Sequence, residues 1–120
     1  MIAKAKIGRC SEWSFLFGAT LSSLGIKTRI VHDFIDHCWN EVILPSSQED
    51  NIWIHLDSTL DYPISLNHPH YYEENWKKEY QYVLAFTSDK VEDVTKTYTL
   101  KWEKIKQRRL LNNKDNVIGF

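Results

Sequence analysis

The chain has few of the residues that define special classes of protein. Its 120 residues include four glycines, three prolines and two cysteines, and no apolar run is long enough to span a membrane. This composition excludes collagen-like and low-complexity chains, and two cysteines cannot build a disulfide framework or a four-cysteine zinc site. The first residues lack the apolar centre of a signal peptide. We therefore expect a reducing compartment, the cytoplasm, in which both cysteines remain thiols.

Neither sign of charge dominates. Fifteen lysines and arginines balance sixteen acidic residues, for a net charge of −1, so the chain offers no broad basic field for nucleic acid. The length suits one folded unit with one core over residues 1–120. Five tryptophans and six tyrosines supply large rigid surfaces for a core or a ligand groove.

Hydrophobic periodicity predicts an α+β fold in which a helix packs on an antiparallel sheet of four to five strands. The first helix is predicted over residues 12–24, with Ser11 as N-cap and Gly25 as its stop, and it is apolar enough to be buried. Residues 61–79 are predicted to form a long surface loop with at most one short helix, around 72–76. Strands are predicted at 27–34, 37–44, 51–58, 81–87 and 91–94, and a C-terminal helix at 100–111, ended by Asn112 and Asn113.

The second and third strands have one pairing that sorts their residues cleanly. A loop of about five residues sets His37 opposite Asp57, with Trp39 opposite His55 and Glu41 opposite Trp53. Since side chains alternate along a strand, the opposite face then holds the apolar residues Val42, Leu44, Ile52, Ile54 and Leu56, which we expect to form the core face. Opposed side chains in such a pair lie about 5 Å apart, within reach of a His–Asp hydrogen bond.

Cys10, His37 and Asp57 have the order that a thiol nucleophile, its base and an orienting carboxylate require. A cysteine in the first turn of a helix is stabilised as thiolate by the helix dipole, and a nearby imidazole adds an ion pair. Each residue also has an ordinary interpretation. Cys10 could be a small buried apolar side chain, and His37 with Asp57 a pair on the sheet surface.

Three ordered motifs carry a more specific signal, and further similarity follows downstream. The motifs are Gly8-Arg9-Cys10-x-Glu12-Trp13, Asp36-His37-x-Trp39-x-Glu41 and Trp53-x-His55-x-Asp57-Ser58, followed by Tyr82-x-x-Ala85-Phe86, Asp93-Val94-Thr95 and Tyr98. With these motifs, the sequence from residue 8 to 109 resembles the transglutaminase-like (papain-like cysteine) core of the cytoplasmic peptide:N-glycanases. The family pattern has glycine where this chain has Ser11.

The resemblance implies a cysteine amidase with Cys10 as nucleophile, His37 as general base and acid, and Asp57 as orienting carboxylate. The reaction would release the glycan from asparagine of misfolded N-glycoproteins through a thioester and leave aspartate. The implied substrate is an unfolded N-glycoprotein or glycopeptide, and the implied partners are proteasome-shuttle or endoplasmic-reticulum-associated degradation factors, in the cytoplasm and also the nucleus. No nucleic acid and no membrane span is implied.

The same resemblance also makes predictions about the bounds of the domain and about metal binding. Residues 1–120 would form a single core without the family's N-terminal helices and zinc-binding segment. The family's structural zinc is held by two Cys-x-x-Cys pairs, and this chain contains none, so no cofactor is expected within it.

Four further residues share the predicted face of His37 and Asp57. Trp39, Glu41, Trp53 and His55 are candidates for stacking on sugar rings and for hydrogen bonding to substrate. The equally open alternative is that they pack around the triad.

Other interpretations compete with the amidase. The fold also serves as a non-enzymatic binding scaffold, and the same acyl-enzyme chemistry serves cysteine proteases and transglutaminases. His68 and His70, with His32 and His55, do not match a standard metal spacing and are expected to bind none. Lys101, Lys104, Lys106, Arg108 and Arg109 are expected to form a solvated helix face, or else a docking surface.

Overall fold

The computed structural model describes the backbone of residues 2–44 and 52–116, and the side chains of residues 12–44 and 52–111. Within these ranges the chain forms four helices and five strands. Their order is α1 (Ile2–Ser23), β1 (Lys27–His32), β2 (Cys38–Ile43), β3 (Ile54–Leu56), α2 (Tyr71–Asn75), β4 (Leu84–Phe86), β5 (Val91–Asp93), α3 (Thr95–Tyr98) and α4 (Trp102–Asn116).

The five strands form one antiparallel sheet in the order β3-β2-β1-β4-β5. The predicted α+β class, with a helix on an antiparallel sheet, is confirmed. Every residue of β2 is buried, because this strand is second from the edge and is covered on both faces. The candidate residues His37 and Asp57 flank neighbouring strands, with His37 just before β2 and Asp57 just after the edge strand β3.

The observed register of β2 and β3 differs from the predicted one by two residues. Glu41 lies opposite His55, and Val42 opposite Ile54, whereas Glu41 was expected opposite Trp53. The turn on which the prediction depended, residues 45–51, lies outside the described part of the chain. A slip of two residues keeps every side chain on its face, so the predicted grouping of Trp39, Glu41 and His55 is correct.

The prediction of which face forms the core is wrong. The buried cluster lies on the face of Trp39, where the ring of Trp39 stacks on Tyr72 at 4.5 Å and meets Tyr98 at 4.8 Å. On the expected core face Val42 is buried, but Ile52 is 55% exposed, and Ile54 and Leu56 are only half-buried. The cluster comprises Val31, Trp39, Tyr72, Tyr80, Val83, Ala85, Val94, Tyr98 and Ile105.

Helix α1 covers the other face of the sheet through small residues. The Asn40 side-chain amide donates to the Ser14 carbonyl at 3.1 Å, and a Cβ at Gly18 would lie 3.3 Å from the same amide nitrogen. Trp13, Phe15 and Leu16 are exposed, so the expectation of a helix buried all round is wrong for residues 12–23. Gly25 ends the helix with φ 79°, as predicted.

Both long helices extend beyond their predicted bounds. Helix α1 begins at Ile2 instead of after Ser11, and α4 continues past Asn112 and Asn113 to Asn116. Alanines and lysines before Gly8 are good helix formers, and one glycine costs only about 1 kcal/mol in a helix interior. In the described part of the chain, no helix is long and apolar enough to cross a membrane.

The short helix predicted within residues 61–79 is present as α2, but the segment is not only a surface loop. Tyr72 is fully buried, and Glu73 and Lys78 are buried as well. Glu73 accepts hydrogen bonds from the Thr99 hydroxyl and from the Leu100 backbone N–H. The segment therefore packs across the Trp39 face, and it forms one wall around His37.

Candidate active site

Cys10 lies within α1, not in the first turn of a helix. The helix dipole acts mainly on the first turn, so the dipole part of the predicted thiolate stabilisation does not apply at this position. The side chains of residues 1–11 lie outside the described part of the structure. The predicted meeting of the Cys10 thiol with His37 therefore stays a prediction.

The structure brings His37 and Asp57 together. The His37 Nε2 atom lies 2.7 Å from Asp57 Oδ2, and both side chains are buried, at 5% and 1% exposure. An ionised carboxylate only accepts hydrogen bonds, so Nε2 carries the proton and donates it. Proton transfer by this imidazole therefore has to use its other nitrogen, Nδ1.

Asp57 is held by donors on both of its oxygens. Tyr72 donates its hydroxyl to Oδ2 at 2.6 Å, while the Thr59 backbone N–H and hydroxyl donate to Oδ1 at 2.9 and 2.6 Å. Burial by itself would raise the pKa of Asp57, but the hydrogen bonds from His37, Thr59 and Tyr72 outweigh it. The pKa of this carboxyl consequently lies below its ordinary value, and Asp57 is ionised at neutral pH.

A second aspartate shapes the loop that presents His37. Asp33 Oδ1 accepts the backbone N–H groups of Ile35, Asp36 and His37 at 2.8, 3.1 and 3.1 Å. Lys78, from beyond α2, forms ion pairs with Asp33 at 3.0 Å and with Asp36. The turn between β1 and β2 is thereby tied to the segment that follows α2.

Aromatic rings enclose the His37 imidazole. The rings of Trp39, Tyr72 and Trp76 lie 5.7, 5.3 and 5.1 Å away, with Trp76 edge-on. Trp39 and Tyr72 are inaccessible, whereas Trp76 is 41% exposed. The imidazole is therefore shielded from water on the core side, and Trp76 separates it from solvent on the other.

The four predicted substrate-binding residues are engaged within the protein. Trp39 lies in the aromatic cluster at 1% exposure, and Glu41, at 2%, accepts hydrogen bonds from the Arg29 guanidinium and the Tyr98 hydroxyl at 2.7 and 2.6 Å. Trp53 is half-buried, with the Arg29 guanidinium 4.2 Å from its ring centre. These contacts favour the alternative of packing around the site.

His55 is buried and belongs to the same hydrogen-bond network as Asp57. Its Nδ1 accepts the His68 backbone N–H at 3.1 Å, so its proton is on Nε2, which donates to the Tyr72 hydroxyl oxygen at 2.6 Å. Burial lowers the pKa of His55 to about 4, and the imidazole is neutral at physiological pH. The residue faces Tyr72 and not a ligand groove.

The described residues do not suit a metal ion. They contain no group of three or more His, Cys, Asp or Glu side chains placed to bind one. His32 and His68 are each hydrogen-bonded to nearby backbone through Nδ1, and Cys38 is buried in β2. The zinc implied by the resemblance does not fit these residues, since the chain lacks any Cys-x-x-Cys pair.

The basic cluster of α4 is only partly a solvated face. Arg108 donates to the Tyr80 carbonyl and Arg109 to the Gln81 carbonyl, both at 2.6 Å. Lys106 pairs with Glu103 on the helix surface at 3.0 Å. The two arginines thus anchor α4 to the segment before β4, while the lysines remain exposed.

Tyr72, Asp33 and Lys78 were not predicted as site residues. Tyr72 and Lys78 are in the segment read as a surface loop, far in sequence from the predicted triad. Asp33 precedes Phe34, which adopts a positive φ of 58°, and no simple sequence rule predicts such a turn at phenylalanine. The available signal was Asp33 itself, three residues before the Asp36-His37 motif, because an aspartate side chain often accepts hydrogen bonds from backbone N–H groups a few residues further on.

Comparison with known proteins supports the fold. Residues 2–58 match the family described as the Transglutaminase-like superfamily. The chain is 38% identical over 108 residues to the peptide-N(4)-(N-acetyl-beta-glucosaminyl)asparagine amidase of Rattus norvegicus, covering 90% of this chain and 16% of that protein. The amidase of the same name from Arabidopsis thaliana is 36% identical over 116 residues, covering 97% and 15%. That from Homo sapiens is 38% identical over 108 residues, covering 90% and 16%.

Residues 2–58 of the chain are similar to transglutaminase-like domains, and the helix packed on an antiparallel sheet agrees with that class. Within that class it resembles the peptide:N-glycanases along most of its length, as the three motifs predicted. It spans 15–16% of the length of these relatives.

Proposed function

We propose that this chain forms the catalytic core of a peptide:N-glycanase-type amidase, with Cys10, His37 and Asp57 as its triad. The observation that carries the proposal is the buried 2.7 Å contact between His37 Nε2 and an ionised Asp57. This contact fixes the imidazole so that Nδ1 is the nitrogen that exchanges protons. Similarity to amidases over most of the chain supplies the reaction class.

The proposed reaction has two steps. The Cys10 thiolate attacks the side-chain amide carbon of a glycosylated asparagine, and His37 Nδ1 gives its proton to the departing glycosylamine. Water then attacks the thioester, His37 takes a proton from it, and the thiolate leaves. The products are the glycan amine and a peptide in which aspartate has replaced asparagine.

The position of residue 10 on α1 supports its part in this proposal. Residues 10, 14 and 18 follow one helix face at intervals of four, and Ser14 and Gly18 both lie against Asn40 of β2. Gly18 also approaches Thr28 of β1. Going back along α1 from Gly18 to Ser14, the helix runs toward the start of β2. One further turn, about 5.4 Å, brings residue 10 toward the end of the sheet where His37 lies.

The substrate, partners and location follow the same proposal. The substrate is an N-glycoprotein whose unfolded chain exposes the glycosylated asparagine, and the location is the cytoplasm and nucleus. Degradation factors that deliver misfolded glycoproteins are the proposed partners.

The test is glycan release from a denatured N-glycoprotein by the wild-type chain, Cys10→Ala and Cys38→Ala. Mass spectrometry in heavy-oxygen water reports both the released glycan and one labelled oxygen in the new aspartate. We expect activity in the wild type and in Cys38→Ala, and none in Cys10→Ala. Activity that survives in Cys10→Ala, or that is lost only in Cys38→Ala, rejects this nucleophile.

A non-catalytic scaffold is the second candidate, and the course of α1 favours it. The helix runs through residue 10, so its N-terminus does not stabilise a thiolate there. The rate of Cys10 alkylation by iodoacetamide, measured against pH, separates the two functions. An amidase requires a thiol that reacts quickly at neutral pH and slows in His37→Ala, whereas a scaffold gives an unperturbed thiol in both proteins.

Related acyl-transfer functions use the same groups. Cleavage of a peptide bond in the denatured substrate, or transfer of a glutamine acyl group to an added primary amine, would assign the chain to a protease or transglutaminase instead. Both products are visible in the same mass spectra.

A further inference from the structure

The described part of the chain contains a hydrogen-bonded branch that ends on the same Asp57 oxygen that His37 contacts. It runs from the His68 backbone N–H to His55, from His55 to the Tyr72 hydroxyl, and from that hydroxyl to Asp57 Oδ2. His55 and Tyr72 are 2% and 0% exposed. The reaction given above does not use either residue.

The direction of every hydrogen bond in this branch is determined. His55 must donate through Nε2, because Nδ1 accepts from the backbone, and burial keeps the ring neutral with a pKa of about 4. Burial, together with the charge of Asp57, raises the pKa of Tyr72 far above its ordinary value. Since the phenol oxygen accepts from His55, its own proton can only point to Asp57.

The consequence is a carboxylate that cannot turn. Oδ1 is held by the two donors of Thr59, and Oδ2 receives Tyr72 and His37 together. Rotation of the carboxylate in either direction breaks at least one buried, charge-assisted hydrogen bond. The direction of the Oδ2 lone pair toward His37 Nε2 is thus set by Thr59, which follows β3, and by Tyr72 of α2.

We propose that Tyr72 and His55 are positioning residues, which hold Asp57 in the one orientation that directs His37 Nδ1 to the reaction. The proposal rests on the function proposed above, for which it names two further residues. It also explains why a tyrosine hydroxyl and a histidine are buried against the aromatic cluster, where apolar rings would pack without needing partners.

The first test compares Tyr72→Phe with wild type. We expect kcat to fall about tenfold, the worth of one hydrogen bond to a charged group, with little change in KM. Because Tyr72 helps to lower the pKa of Asp57, the acidic limb of the kcat profile should move to higher pH. The titratable groups acting on Asp57 are His37 ahead of β2, His55 in β3 and Tyr72 in α2.

Three variants serve as controls. Tyr62→Phe removes a hydroxyl from a tyrosine that is 80% exposed and should behave as wild type. His55→Gln keeps a donor near the position of Nε2 and should retain most activity, whereas His55→Leu should lose it as Tyr72→Phe does. Activity that is kept in His55→Gln but lost in His55→Leu shows that the hydrogen bond, and not only the packing of the side chain, matters. Thermal unfolding of each variant checks that it is folded.

A readout without substrate keeps this proposal separate from the amidase. In the wild type, the Nε2–H resonance of His37 should be visible and slow to exchange with water, and in Tyr72→Phe it should broaden. Broadening in a chain that releases no glycan supports positioning and rejects the amidase function. An active wild type whose kcat, pH profile and resonance all persist in Tyr72→Phe rejects the positioning role.

Discussion

Replacing Asp57 by asparagine removes the charge that holds His37 and keeps the size of the side chain. Asp57 accepts hydrogen bonds from His37, Tyr72 and Thr59, all three of them donors. The asparagine amide group has to face one pair of these donors. If it faces His37, the imidazole must move its proton from Nε2 to Nδ1, and the nitrogen needed as base is then blocked.

The size of both effects follows from this geometry. A wrong imidazole tautomer in a comparable His–carboxylate pair lowers kcat by about 10⁴-fold, and we expect a similar loss here. A buried hydrogen bond to a charged group is worth about 1.5–3 kcal/mol. Since Asp57 is 1% exposed and two donors lose their acceptor, we expect the free energy of unfolding to fall by about 3 kcal/mol at pH 7.

The stability loss should depend on pH. The pKa of Asp57 is lower in the folded protein than in an unfolded chain, so its stabilisation is complete above the unfolded value of about 3.9. It disappears as pH falls through the folded pKa. The difference between wild type and Asp57→Asn should therefore shrink toward zero in strong acid.

Urea unfolding at pH 7 and at successively lower pH measures the stability difference, and glycan release by the folded variants measures kcat. Asp61→Asn, at an exposed aspartate of the same segment, is the matched control and should change neither quantity. A folded Asp57→Asn with kcat within tenfold of wild type, or a stability difference that persists unchanged in acid, would refute the reasoning.

Further predictions concern the surroundings of the site. Glu41→Gln leaves the Arg29 charge buried and should lower the free energy of unfolding by about 3 kcal/mol. Glu92→Gln, at the exposed end of the same network, should lower it by less than about 1 kcal/mol. Equal losses for the two variants in urea titrations would contradict this. Trp39→Ala should cost about 3–5 kcal/mol by emptying the aromatic cluster, and a folded variant that changes only KM would restore the sugar-binding prediction. Because the pKa of His55 is about 4 when folded and about 6.5 when unfolded, stability should fall by about 1.4 kcal/mol per pH unit as pH drops between these values, and His55→Gln should reduce that slope.

The grouping of the site residues could be predicted because it depends only on period-two alternation. His37, Trp39, Glu41, His55 and Asp57 occupy odd positions in the two strand segments, and any register that differs by two residues keeps them on one face. The predicted register was wrong by that amount, yet the His–Asp contact forms. The His37 and Asp57 side chains are long enough to span the diagonal distance between strand positions that are offset by two residues.

Burial was harder to predict. Polar and aromatic residues on one strand face read as a solvent-facing surface, while Val42, Ile54 and Leu56 read as a core. In the folded chain Glu41 is satisfied by Arg29 and Tyr98, and a polar face can be buried when its partners come from distant segments. Periodicity carries no information about such partners.

What the sequence alone determined is local: five strands, the stop at Gly25, the face shared by His37 and Asp57, and a resemblance based on three motifs. These depend on alternation, turn residues and residue identity within a few positions. Tertiary structure decided which sheet face became the core, and brought Tyr72 and Lys78 from residues 61–79 to Asp57 and Asp33. The physical reason is that a buried carboxylate takes its donors from whichever segments pack around it, and that packing is a property of the whole fold.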